Sequence, residues 1–206
     1  MKKYLAALSA TALVSIAPHA MAASSADLAV TGSITPTACT PSLSGNGNVD
    51  YGKISSKDLS LDNNTELEQR TVFLTVNCDA ATRFALQGID NRLGSSNTVS
   101  AFGLGKINGT QNLGRYMLGM ASAVADGVAV QPIKSKDGQT DWHGHIFWMP
   151  GDYASVASTA DLTQPILVKD MDMELLIGTL IYPARGLDLT NEVNIDGSAT
   201  LEMKYL

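Results

Sequence analysis

The chain is short of charge, of histidine and of cysteine, and each shortage excludes something. Charged residues make up only 17% of its 206 positions, below the roughly 25% usual for soluble domains. Basic residues number 14 against 20 acidic ones, for a formal net charge of −6. Nucleic acid and anionic membrane surfaces both select for positive charge, so neither is expected as a partner. Histidines number three, and His19 falls in the leader described below. No G-x-S-x-G elbow occurs, and "GLGKING" (Gly103 to Gly109) lacks the G-x-G-x-x-G spacing of a phosphate loop. Catalysis has little to stand on, so neither an enzyme nor a cofactor is expected.

Long apolar runs are missing except at the start. Lys2 and Lys3 precede an apolar stretch from Tyr4 to about Ala17, and Ala20-Met21-Ala22 follows as an A-x-A cleavage site. Residues 1–22 therefore read as a signal peptide, too short for a spanning helix. No cysteine lies near the cleavage site, so a lipid anchor is not expected, and no membrane span is expected downstream. Cleavage would remove two lysines and no acid, leaving a chain more acidic still.

Two cysteines are present, Cys39 and Cys78. An even pair in an exported protein reads as one disulfide. Helical periodicity is scarce after the leader. Short alternating runs dominate instead, broken by Gly, Asn, Asp and Pro, which predicts an antiparallel all-β sandwich or barrel. The clearest inner strand is "RTVFLTVNC" (Arg70 to Cys78), where Val72, Leu74 and Val76 mark one face and Phe73 suggests cover on the other. Further strands are expected at Arg83 to Asp90, Leu113 to Met120, "VAVQPIK" (with Pro132 hinting at an edge), "HIFWM" and "DMDMELLIGTLIYPA". Asn91 to Thr110 reads as a long loop or flexible hairpin, and Ser155 to Thr163 as one helical turn or a polar loop.

Candidate sites are few. His143 and His145 form an H-x-H pair with Asp141 and Asp152 nearby, a pattern that can hold metal but more often lies on a plain surface strand. Trp142, Phe147, Trp148 and Tyr153 could form a sugar-binding face, though packing is the commoner use. Asp170, Asp172 and Glu174 alternate with Met171 and Met173, which reads as a strand with acids in water and methionines in the core. No metal site is expected.

The two ends carry the most pointed pattern. Near the start, Leu28, Val30, Gly32 and Ile34 alternate with Ala29, Thr31 and Ser33, although a glycine weakens a strand. At the other end, Ala199, Leu201, Met203 and Tyr205 alternate with Thr200, Glu202 and Lys204 up to the last residue. An amphipathic strand in that place must be covered by something. The arm could be the first strand of the chain's own closed sandwich. However, the alternating arm before the first cysteine, "VDYGKIS" after it, "RTVFLTVNC" ending on the second, and the penultimate Tyr205 together resemble a pilin of the chaperone–usher pathway. Val193 stands where such pilins often carry a glycine, and Gly197 is the nearest.

That resemblance implies an incomplete immunoglobulin-like sandwich that lacks its last strand. It implies residues 23–38 as an N-terminal donor-strand extension and residues 39–206 as the pilin domain. Leu28, Val30, Gly32 and Ile34 would enter a neighbour's groove, and the strand from Ala199 through Leu201 and Met203 to Tyr205 would border the acceptor groove and the chaperone-binding surface. The partners implied are other pilin subunits, a periplasmic chaperone and an outer-membrane usher, with delivery through the periplasm to the cell surface. The alternative from another class is a self-contained exported β-sandwich binding module, with carbohydrate as one candidate ligand. An exported hydrolase would need a polar cluster that the sequence does not offer.

Overall fold

The computed structural model describes residues 28–31 and 38–206. Its longest strands are those with the cleanest alternation. In chain order the strands are β1 (Cys39–Leu43), β2 (Thr65–Glu66), β3 (Arg70–Thr82), β4 (Phe84–Asp90), β5 (Phe102–Gly103), β6 (Lys106–Ile107), β7 (Gln111–Asn112) and β8 (Gly114–Ala125). They continue with β9 (Val128–Ser135), β10 (His143–Gly144), β11 (Phe147–Trp148), β12 (Tyr153–Ala157), β13 (Val168–Ile181) and β14 (Ala199–Tyr205). Every pairing is antiparallel. No described helix is long and apolar enough to cross a membrane.

The order β1-β3-β13-β8-β9-β12-β4-β14 folds into two layers. One layer is β1-β3-β13-β8 and the other is β9-β12-β4-β14, an all-β antiparallel sandwich. The β8–β9 hairpin carries the chain between them. Its turn is Asp126-Gly127, both at positive φ (50° and 78°), the Asp-Gly pair that a tight hairpin turn favours.

β13 shows how the sequence dictates the layer. Met171, Met173, Leu175, Ile177, Thr179 and Ile181 point inward and are buried. Asp170, Asp172 and Glu174 point outward and accept hydrogen bonds from Asn77 Nδ2 (2.9 Å), Thr75 Oγ1 (2.7 Å) and Ser122 Oγ (3.1 Å). β3 answers with Val72, Leu74, Val76 and Cys78, all buried. Cys39 sits opposite Cys78 in the β1–β3 register, and the two form the expected disulfide. The chain-entropy model gives roughly 4 kcal/mol for closing a loop of this length.

Four expectations are corrected. Phe73 is 53% exposed, because it stands opposite Glu174 on the uncovered outer face. Ser155 to Thr163 is no helical turn at its start. Residues 155–157 belong to β12, where Ala154, Ser155, Val156 and Ala157 are all buried and the Ser155 hydroxyl donates to the Phe84 carbonyl at 2.7 Å. Asn91 to Thr110 is not a loose loop. Ala101, Phe102, Leu104 and Ile107 are buried in it. Its backbone is held by Ser95 Oγ, which donates to Arg92 O (2.6 Å) and accepts from the Gly105 N–H (3.0 Å). Pro132 is not in an edge strand, since β9 pairs with β8, β10 and β12. It falls in the gap between the β8 pairing, which ends at Val130, and the β10 pairing, which begins at Ile133, so its missing N–H disturbs no rung there.

Candidate functional site

β1 and β14 stand at the two ends of the main strand order, and among the described residues β1 pairs with β3 alone and β14 with β4 alone. Between their free edges lies a groove. The part beside the two strands is a cavity of about 320 Å3 lined by Leu43 of β1 and Ala199 and Leu201 of β14, and it adjoins a second of about 580 Å3 between the segments that follow β1 and precede β14, with Val49, Tyr51 and Ile195 in the walls of both. The residues after β1, from Asn48 to Ile54, form one wall. Those before and in β14 form the other. The inward residues of β14, Ala199, Leu201 and Met203, are only half-buried, whereas Phe84 and Leu86 on the neighbouring β4 are buried. A row of apolar side chains thus stands partly open to water beside strand backbone that has no partner among the described residues.

The floor is layered by the β8–β13 register. Leu175 lies opposite Met120, Ile177 opposite Leu118, Thr179 opposite Tyr116, and Ile181 opposite Gly114. Leu175, Ile177 and Leu118 make the floor apolar on one side. Ile181 and Leu113 make it apolar on the other. Between them the Tyr51 hydroxyl donates to Thr179 Oγ1 at 3.0 Å, and the Arg70 guanidinium lies over the Tyr51 ring, 5.6 Å from its centre. Tyr116 stacks on Phe102 with ring centres 5.2 Å apart. Its hydroxyl is pushed well above the ordinary phenol range, first by burial and then by the nearby Asp90 charge.

Each end of the groove is tied. At one, the Tyr205 hydroxyl accepts the Cys39 N–H at 2.9 Å. At the other, Lys53 and Glu192 reach across from opposite walls, 3.2 Å apart. The β14-side wall is anchored by Arg92, whose Nη2 and Nε donate to the two Asp196 carboxylate oxygens at 2.7 and 2.9 Å. That guanidinium, through its hydrogen bonds first, holds the Asp196 carboxyl below its ordinary value.

The sequence-predicted residues fall as follows. Ala199 and Leu201 line the groove. Met203 is half-buried against the core, and Tyr205 is exposed at the groove's end. Leu28 and Val30 are exposed, while Gly32 and Ile34 lie outside the described residues. Sequence reasoning did not single out Tyr51, Thr179 or Tyr116, because their convergence depends on register between distant strands.

The other candidates disperse. The His143 and His145 rings stand 6.1 Å apart, each with Nδ1 against nearby backbone, at Asp141 O and Phe147 O. Asp152 is buried and engaged by Lys134 at 3.0 Å and Lys136 at 2.5 Å. No group of three or more metal-ligating side chains is found among the described residues. Trp142 and Trp148 are buried, so the four aromatics form no common exposed face.

The chain is similar to one family of unknown function and to two proteins of Escherichia coli (strain K12). A family model described as a protein of unknown function (DUF1120) matches residues 28–100, from the first apolar position of the arm to ten residues past the end of β4. Protein GltF of Escherichia coli (strain K12) is 27% identical over 254 residues, covering 100% of this chain and 99% of that protein. The uncharacterized protein YhcF of the same strain is 30% identical over 123 residues, covering 48% of this chain and 52% of its own length. The similarity to protein GltF thus runs from end to end, arm and β14 included.

Proposed function

We propose that this chain is a structural subunit of a surface fimbria. It is exported through the periplasm, where a chaperone occupies the groove, and is assembled at an outer-membrane usher by donor-strand exchange. The observation that carries the reading is the groove between β1 and β14, where core side chains and strand backbone await a partner. The arm from Leu28 to Ile34 supplies what such a groove needs, apolar side chains at every second residue. Filling the groove removes apolar surface from water at about 25 cal/mol per Å2 and satisfies backbone groups on both walls. The assembled fibre then supports adhesion of the cell that bears it.

The test is to append the sequence of residues 27–37 after Leu206 through a short flexible linker. The added strand can turn back along β14 and fill the groove of its own chain. A gain of several kcal/mol raises the melting temperature by roughly 10 °C for a chain of this size, and the appended chain stays monomeric. An unchanged melting temperature, in a chain that was already a stable monomer without the addition, would overturn the proposal in favour of a self-contained binding module.

A further inference from the structure

The outer faces of the two layers differ. On the β9-β12-β4 side, Trp142 packs with Ala85, Ile133 and Ala157 in a small second core. On the outer face of β3-β13-β8, Phe73 and Phe147 are exposed, and Met117, Leu176 and Leu180 are only half-buried. The outward residues of β13 change character midway: Asp170, Asp172 and Glu174 are acidic, whereas Leu176, Gly178 and Leu180 carry no charge. The register sets two large residues beside two glycines, with Leu176 opposite Gly119 of β8 and Gly178 opposite Met117. A glycine inside a strand marks a place where another backbone can approach closely. A methyl group added at Gly178 would meet nothing within 4 Å. At one end of this checkerboard, opposite Leu180, stands Arg115, whose Nε is buried with no hydrogen-bond partner among the described residues. At the other end stands Glu174, whose carboxylate accepts from Ser122 Oγ of β8 at 3.1 Å. Neither Arg115 nor Glu174 belongs to an ion pair among the described residues.

We infer that this face pairs with the same face of a second copy, about a two-fold axis that crosses β13 at right angles over Ile177. Such an axis reverses the strands but keeps β13 over β13 and β8 over β8. It exchanges position 176 with 178 on β13 and 117 with 119 on β8. Leu176 of one copy then enters the gap over the partner's Gly178, and Met117 the gap over the partner's Gly119. Large residues face small ones through the middle, as close packing requires. The same exchange lays the row of Leu180 over the row of Glu174, so Arg115 of each copy meets the partner's Glu174 beside Ser122. Opposite charges thus close both ends of an apolar centre. An axis along β13 would instead stack Leu176 on Leu176, and Asp170, Asp172 and Glu174 on their own copies, which like charge opposes. The face lies on the other side of β13 from the groove, so this pairing is independent of the donor-strand reading. Under that reading it joins neighbouring fibres side by side.

The experiment is sedimentation equilibrium of the full chain from micromolar to millimolar concentration, with the variants Arg115→Glu, Glu174→Arg and Gly178→Val. The unaltered chain dimerises in this range. Arg115→Glu and Glu174→Arg chains each self-associate about tenfold or more weakly. Mixed in equal amounts, the two recover most of the loss, because both contacts of a mixed pair again join opposite charges. That recovery cannot come from chains that have failed to fold. Gly178→Val also weakens association about tenfold or more by filling the gap. Its melting temperature does not fall, since the added side chain meets nothing in its own chain and favours a strand. A chain that stays monomeric at millimolar concentration would overturn the pairing. So would self-association that all three variants leave unchanged, which would place the contact elsewhere, as at the groove. Weakened charge variants that show no recovery on mixing would overturn the two-fold register.

Discussion

The two sides of this sandwich treat their edges in opposite ways. On one side β8 could have been left open along its second edge. Instead β5 covers Arg115 and Tyr116, β11 covers Leu118 and Gly119, and β9 covers Ala123 to Ala125. The Met120 N–H is taken by the Ile146 carbonyl at 2.7 Å. The inward side chains there are sealed, with Trp148 at 1% exposure and Met120 at 2%. On the other side β1 and β14 stand apart, with a groove between them and half-exposed apolar residues in its wall. An unpaired edge is an aggregation hazard that proteins suppress. Among the described residues, three strands share the cover of β8's second edge, and none pairs with the second edge of β1 or β14.

The sharpest way to test that contrast is to strike the sealed side. Trp148 packs its indole against Gly88 and donates Nε1–H to the Asp152 carbonyl at 2.9 Å. Trp148→Ala empties a fully buried site and is expected to cost about 3–5 kcal/mol, read from urea denaturation midpoints at constant m. A loss below about 1 kcal/mol would mean that the β11 seal is not a cooperative part of the sandwich.

A gentler blow falls on the open side. Leu201 is half-buried in the groove wall. Leu201→Ala is expected to cost about 1 kcal/mol in the chain alone. In the chain that carries an appended donor strand the same change removes a fully covered side chain and costs about 2 kcal/mol or more. Urea titrations of both pairs measure the difference. Equal costs in the two backgrounds would show that nothing new covers Leu201.

How much of this contrast was legible in the sequence depends on which contacts are local. β3, β13 and β14 announce themselves by alternation, and the disulfide by an even pair of cysteines. The sealing of β8 does not. Its covering pieces are two-residue strands such as Phe102–Gly103 and Phe147–Trp148, too short to carry a period. The segment around Phe102 is rich in Gly and Ser, so it reads as a loop, although Ser95 and Asp90 tie its backbone down. The groove is legible only by half. β14 and the apolar arm can be seen in the chain, whereas the Tyr51–Thr179–Tyr116 layer exists only through the β8–β13 register and the fold of the segment after β1.

The smallest expected effect concerns how firmly the open side keeps its shape. The wall before β14 is held at Asp196 by Arg92, a bidentate pair between exposed groups. Asp196 titrates lower in the folded chain than its ordinary value, because the Arg92 guanidinium favours the carboxylate. A carboxyl with a depressed folded pKa contributes stability that is present above its unfolded pKa, near 3.9, and is lost as pH falls through the folded value. The Arg92 tie is therefore intact at neutral pH and weakens only below about pH 4. Asp196→Asn should mimic the acid state at neutral pH. It should speed amide hydrogen exchange in residues 190–198 while leaving β8 and β11 unchanged, with little change in global stability, as expected for an exposed pair. Equal acceleration on the sealed side would mean that the two edges are not independent, and the contrast between them would lose its physical basis.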